Sequence, residues 1–179
     1  MNKSELKARV AELLDSGAAR SRVFAQLSEQ GCDERLLAAL IAGHVTPAVR
    51  AQHLGKVRAL IGLTLLQAVL VLLISLTLGS RYSTPAQWLL AAAFTAFPLI
   101  FAWGFYRYFA GAYSAFMVLT IVQLPRQVEG WLANPQGGAI SLAFTIALFA
   151  YVWHVRRLLF PDFDLFGIRK LNGKFSFSD

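Results

Sequence analysis

Acidic residues are missing from every long apolar stretch of this chain, and cysteine occurs once. The ten Asp and Glu residues all lie before Arg58, at Glu129 or after Arg156. An apolar core without carboxylates leaves no groups for paired-carboxylate catalysis or an intramembrane proton relay. The lone Cys32 excludes an internal disulfide and any cysteine-rich metal cluster. Charge is scarce: 15% of residues are charged and 56% are hydrophobic, against about 25% charged in an average soluble domain. That balance points to lipid as the solvent. The first apolar run begins only after Arg58, beyond the reach of a cleavable leader of about 15–30 residues, so the first span is expected to be retained.

The charge that is present sits at the two ends. Residues Met1 to Arg58 hold nine Lys/Arg and six Asp/Glu, and Arg156 to Asp179 hold five and three. Only Arg81, Arg107, Arg126 and Glu129 lie between. A net charge of +7 distributed in this way lacks the basic stripe interleaved with aromatics that nucleic-acid binding calls for. It reads as membrane orientation.

The isolated charges delimit four uncharged stretches, Ala59–Ser80, Tyr82–Tyr106, Tyr108–Pro125 and Gly130–Val155. Each approaches or exceeds the roughly 18–20 residues that cross a hydrocarbon core as a helix. The expected fold class is an all-α membrane protein: a helical cytoplasmic head at 1–53, a four-helix transmembrane domain at 54–157 with spans near 59–80, 86–106, 110–125 and 136–155, and an interfacial cytoplasmic tail at 158–179. The third span is the shortest, and a three-span arrangement is the alternative. Four spans with both termini inside place fifteen basic residues on the cytoplasmic side against Arg81 and Arg126 outside, a strong positive-inside bias. Three spans would put the basic tail on the wrong side.

In the head, Ser4, Ser21 and Asp33 are candidate helix caps, Gly17, Gly31 and Gly43 candidate stops, and Thr46-Pro47 the start of a fourth helix. Leu13, Phe24, Leu27, Leu37 and Leu40 are expected to face one another. In the tail, Arg156 and Arg157 are expected at the headgroups, with Phe160, Phe163 and Phe166 in the interface and Pro161 ending the helix.

No arrangement of nucleophile and base, paired acids or metal ligands emerges, so the chain is read as non-enzymatic, with no cofactor or metal. Asp33/Glu34 reads as a helix start and Asp162/Asp164 as a solvated turn. His154, beside Arg156, reads as an interfacial residue, and a haem would need a facing pair of buried histidines that the spans do not offer. Arg107 lies in an aromatic segment, Phe94 to Phe116, that holds ten of the chain's twenty-three aromatics. It reads as a hairpin charge within an aromatic belt, with a cation–π contact or a lipid phosphate as the alternative. Gly137, Ser141 and Thr145 recur at four-residue spacing, with Ala143 and Ala147 on another row and Gly111 and Ala115 in the hairpin; small residues at this spacing let helices approach closely in lipid. Gln67, Thr95 and Gln123 with the Pro98 kink form the alternative, a polar path.

The tail LFPDFDLFGIRKLNGKFSFSD and the head pattern SGAARSRVFAQLSEQG resemble small bacterial inner-membrane proteins with a four-span core. In size and span count the chain is also similar to immunity proteins against pore-forming toxins. The resemblance implies an inner-membrane location and carries no active residues. The expected function is helix–helix binding to another membrane protein or to a second copy, as an accessory subunit or inhibitor; the rival is a small transporter or channel. The topology makes the first prediction: a reporter fused after Asp179 reads cytoplasmic, and a membrane-impermeant label at Ser83 reacts from outside. An external C-terminus would eliminate the four-span arrangement.

Overall fold

The computed structural model describes residues 2–79, 84–164, 167–171 and 174–177. Arg81, Ser83, Phe166 and Asp179, each named above, lie outside the described residues. Among the described residues seven helices dominate: α1 (Lys3–Asp15), α2 (Arg20–Ser28), α3 (Glu34–Ala42), α4 (Pro47–Gly79), α5 (Thr84–Tyr106), α6 (Ala110–Ala133) and α7 (Pro135–Leu159). Two minimal antiparallel pairs follow, β1 (Phe163–Asp164) with β2 (Gly167–Ile168) and β3 (Lys170–Leu171) with β4 (Lys174–Phe175). The chain divides into two compact units, Met1–His53 with Arg156–Asp179, and Leu54–Val155.

In the first unit the caps differ from expectation at two of three helices. Asn2 precedes α1 and its amide donates to the Glu5 carboxylate at 3.0 Å, while Ser4 sits inside the first turn. Ala19 precedes α2 with no side-chain cap, so Ser21 is likewise internal. Asp33 does cap α3, accepting from the amides of Arg35 at 2.9 Å and Leu36 at 3.5 Å. Gly17 and Gly31 take positive φ, +88° and +74°, the left-handed conformation that closes a helix without a Cβ penalty. The apolar spacing of α1–α3 then builds one core: Leu27 and Leu37 are buried at its centre with Leu6, Val10, Leu14, Val23 and Ile41, and Leu13, Phe24 and Leu40 pack around them.

The tail packs on this core. Phe177 packs on the cluster, and Phe24 meets the rings of Phe175 and Phe177 at centroid distances of 5.8 and 5.3 Å. Phe160 is fully buried and Arg156 is 2% exposed, its guanidinium donating to the Asp164 carbonyl. Arg157 remains exposed. Asp162, read above as part of a solvated turn, is buried and paired with the Arg20 guanidinium, which also reaches the His44 carbonyl at 3.4 Å. The physical reason is pairing across 142 residues, which no local pattern announces. Pro161 does stop α7, which ends at Leu159.

Among the described residues, three helices are long and apolar enough to cross a membrane, Pro47–Thr77, Trp88–Tyr106 and Gly137–Leu159. Helix α6 has the length, 24 residues or about 36 Å at 1.5 Å per residue, because it continues past Pro125; its last part carries Arg126 and Glu129, which lowers its apolarity. Pro98 and Pro125 lie inside α5 and α6, each removing one amide donor from its helix. Between these helices the chain reverses in three residues. Tyr108 takes φ 51°, and the amides of Tyr108 and Phe109 return to the carbonyls of Phe105 and Gly104, both at 3.0 Å. Gly104 lies against Ala112 so closely that a methyl there would collide with the Ala112 Cβ. Phe101, Phe105, Tyr113 and Phe116 interlock beside it, the closest pair 4.6 Å apart between Phe105 and Tyr113.

The Arg20–Asp162 pair generates the second prediction. Removing one partner leaves a buried carboxylate uncompensated, a loss of about 3–5 kcal/mol for buried pairs. Arg20→Leu is therefore expected to speed proteolysis of the tail sharply in the full-length protein, whereas Arg20→Leu with Asp162→Leu restores most of the protection. Equal sensitivity of single and double variants would assign the effect to lost packing.

Candidate functional site

Four helices of the second unit line one cavity of about 330 Å³. Helix α4 contributes Gln67 and Val71; α5 contributes Phe94, Phe97, Pro98 and Phe101; α6 contributes Phe116, Leu119, Thr120, Gln123 and Gln127; α7 contributes Phe144, Thr145 and Leu148. The wall on α6 follows helical spacing: positions 116, 120, 123 and 127 share one face, so the lining changes from aromatic to amide along the helix. No lining residue is charged.

Most polar side chains in an apolar bundle spend their hydrogen bonds on their own helix. The Thr64 hydroxyl donates to the Leu60 carbonyl and the Thr120 hydroxyl to the Phe116 carbonyl, each at 2.8 Å. Two lining groups do not. The Oε1 atoms of Gln67 and Gln127 are buried without a hydrogen-bond partner. Pro98, also on the wall, has no amide hydrogen to donate within α5. Buried acceptors without donors are rare, and each costs about 1–3 kcal/mol when left unmade.

The residues singled out in the sequence separate into groups. Gln67, Pro98, Gln123 and Thr145 meet in this cavity. Thr95 is not among its lining residues, although its hydroxyl is also buried without a partner. Thr145, Leu148 and Val152 follow one another on one side of α7, and Leu148 and Val152 are buried. Gly137 and Ser141, which continue that row, are exposed, and the Gly137 amide lies 3.5 Å from Asn134 Oδ1. Ala139, Ala143, Ala147 and Ala150 occupy the opposite, outward side and are exposed, with His154 below them on the same side. Gly111 sits under the Phe109 ring, and Ala115 is exposed. Arg107 is exposed, its guanidinium carbon 5.4 Å from the centre of the Trp103 ring.

Gln127, Thr120 and the phenylalanine walls were not part of the sequence reading. Ending the third span at Pro125 put Gln127 in a loop; the signal that finds it is polar residues at three- and four-residue spacing continuing through the proline. Among the described residues, no group of three His, Cys, Asp or Glu side chains gathers as metal ligands would.

No protein-family model, curated protein or solved structure matches this chain.

The unpartnered glutamine makes the third prediction. Gln67→Leu keeps the volume and removes an unsatisfied acceptor, so the thermal midpoint of the detergent-purified, ligand-free protein should rise, by the equivalent of about 1 kcal/mol or more. A lowered midpoint would show that the amide is already paired within the bundle.

Proposed function

We propose that this is a four-span, non-enzymatic protein of a bacterial inner membrane, with both termini in the cytoplasm, that works by helix–helix binding to another membrane protein or to a second copy of itself. Four spans are supported by the length of α6 together with the basic residues, which gather on one side only if α6 crosses. On that orientation the first unit is a cytoplasmic domain built from both ends of the chain.

The observation that carries the binding role is how little of the spans the chain itself covers. Only 17% of the most apolar window is buried in Pro47–Thr77 and again in Gly137–Leu159. Large side chains such as Leu73, Leu89 and Ile140 are 55%, 74% and 76% exposed, which lipid tolerates but water does not. Lipid alone satisfies such surfaces, yet α7 presents a narrow outward row, Ala139, Ala143, Ala147 and Ala150, of the kind that admits a second helix at short range. The row lies between Ile140 and Ile146, both exposed, which form the rims of the contact.

A passage for ions is disfavoured by the cavity, whose wall is mostly apolar and offers few oxygens to replace a hydration shell. Purification in mild detergent tests the binding role, with light scattering for a second copy and mass spectrometry for a stoichiometric membrane partner. Association is expected for the natural sequence, and Ala143→Leu, which overfills the row, should weaken it by about 1–3 kcal/mol while insertion persists. A monomer that carries no membrane partner, or an assembly indifferent to Ala143→Leu and Ala147→Leu, would overturn the reading.

A further inference from the structure

We propose that the cavity between α4, α5, α6 and α7 binds a small, uncharged, lipid-soluble molecule that combines an apolar ring or short chain with a hydrogen-bond donor such as a hydroxyl. This site is separate from the helix–helix contact on the outward side of α7 and stands or falls without it.

Size, polarity and charge each constrain the ligand. A volume of about 330 Å³ lies at the lower end of small-molecule sites, which run from about 300 to 1,000 Å³. The site therefore takes a compact body and not a whole phospholipid. Five phenylalanines on three helices, Phe94, Phe97, Phe101, Phe116 and Phe144, supply apolar walls, suited to a flat ring held face or edge on. A charged ligand would be desolvated with no opposite charge to meet it.

The hydrogen-bonding capacity is unbalanced in one direction. Gln67 and Gln127, both on the cavity wall, carry acceptor oxygens that nothing in the chain uses; each is covered and meets a ligand by rotation of its amide. The Thr120 hydroxyl is already committed to its own helix. A ligand hydroxyl or amide hydrogen is the complement that this set lacks. Because Gln123 and Gln127 lie at one end of the α6 wall and Phe116 at the other, the ligand's polar end is directed toward the amides and its ring toward Phe116 and Phe101.

Equilibrium dialysis of the full-length protein in lipid nanodiscs, with protein-free nanodiscs as background, tests this using three tritiated probes of one ring system: 1-naphthol, naphthalene and 1-naphthalenesulfonate. Naphthol is expected to bind saturably at one site per chain, naphthalene more weakly, and the sulfonate not at all. The single hydroxyl hydrogen of naphthol can go to only one oxygen at a time, so one of the two variants Gln67→Leu and Gln127→Leu should weaken naphthol binding by about five-fold, the scale of one neutral hydrogen bond, and the other much less. Thr145→Phe, which fills the cavity, should abolish it. Naphthalene bound as tightly as naphthol, binding of the sulfonate, unaltered affinity in both glutamine variants, or no saturable binding of any probe would each overturn the proposal.

Discussion

Inside a bilayer a polar group has no water to fall back on, and the second unit, with helices long and apolar enough to cross one, keeps its polar groups to itself. Backbone amides and carbonyls are consumed by the helices themselves. Threonine and serine hydroxyls turn back onto the preceding turn, as at Thr64, Thr120 and Ser114. At the α5–α6 reversal, where a helix end exposes carbonyls, the amides of Tyr108 and Phe109 close on Phe105 and Gly104, and the Tyr113 hydroxyl approaches the Phe105 carbonyl at 3.4 Å. The conformation this demands of Tyr108, with φ 51°, costs about 1–2 kcal/mol for a residue with a Cβ, less than leaving carbonyls bare. The oxygens of Gln67, Thr95 and Gln127, buried without a hydrogen-bond partner, are the exceptions to that pattern among the described residues.

The first unit obeys different rules. Its helices are 9–13 residues long, too short to persist alone, and they depend on a shared core, on Asp33 and on two left-handed glycines. The tail contributes what the head lacks. Phe175 and Phe177 close over Phe24, and Asp162 neutralises Arg20 from within. The pair is worth less as a source of stability than as a condition on the fold: once Arg20 is largely covered, only a segment that brings a carboxylate to the same place can complete the unit.

The two functional proposals use opposite sides of α7. Its outward row of alanines lowers the barrier to a neighbouring helix, while Thr145 and Phe144 face a cavity that the chain leaves unfilled.

Hydropathy and spacing determined the helical class, the apolar runs, the grouping of Leu13, Phe24, Leu27, Leu37 and Leu40, and the stops at Gly17 and Pro161. These follow from local rules: periodicity, backbone freedom and the missing amide of proline act within a few residues. Tertiary structure alone decided that Asp162 is a buried partner of Arg20 and that Phe177 belongs to the head core. It also separated the two small-residue rows of α7, turning Thr145 toward the bundle and Ala143 away from it. Each of these depends on pairing between distant segments or on which side of a helix its neighbours cover, and neither quantity is encoded in the spacing of residues along one segment.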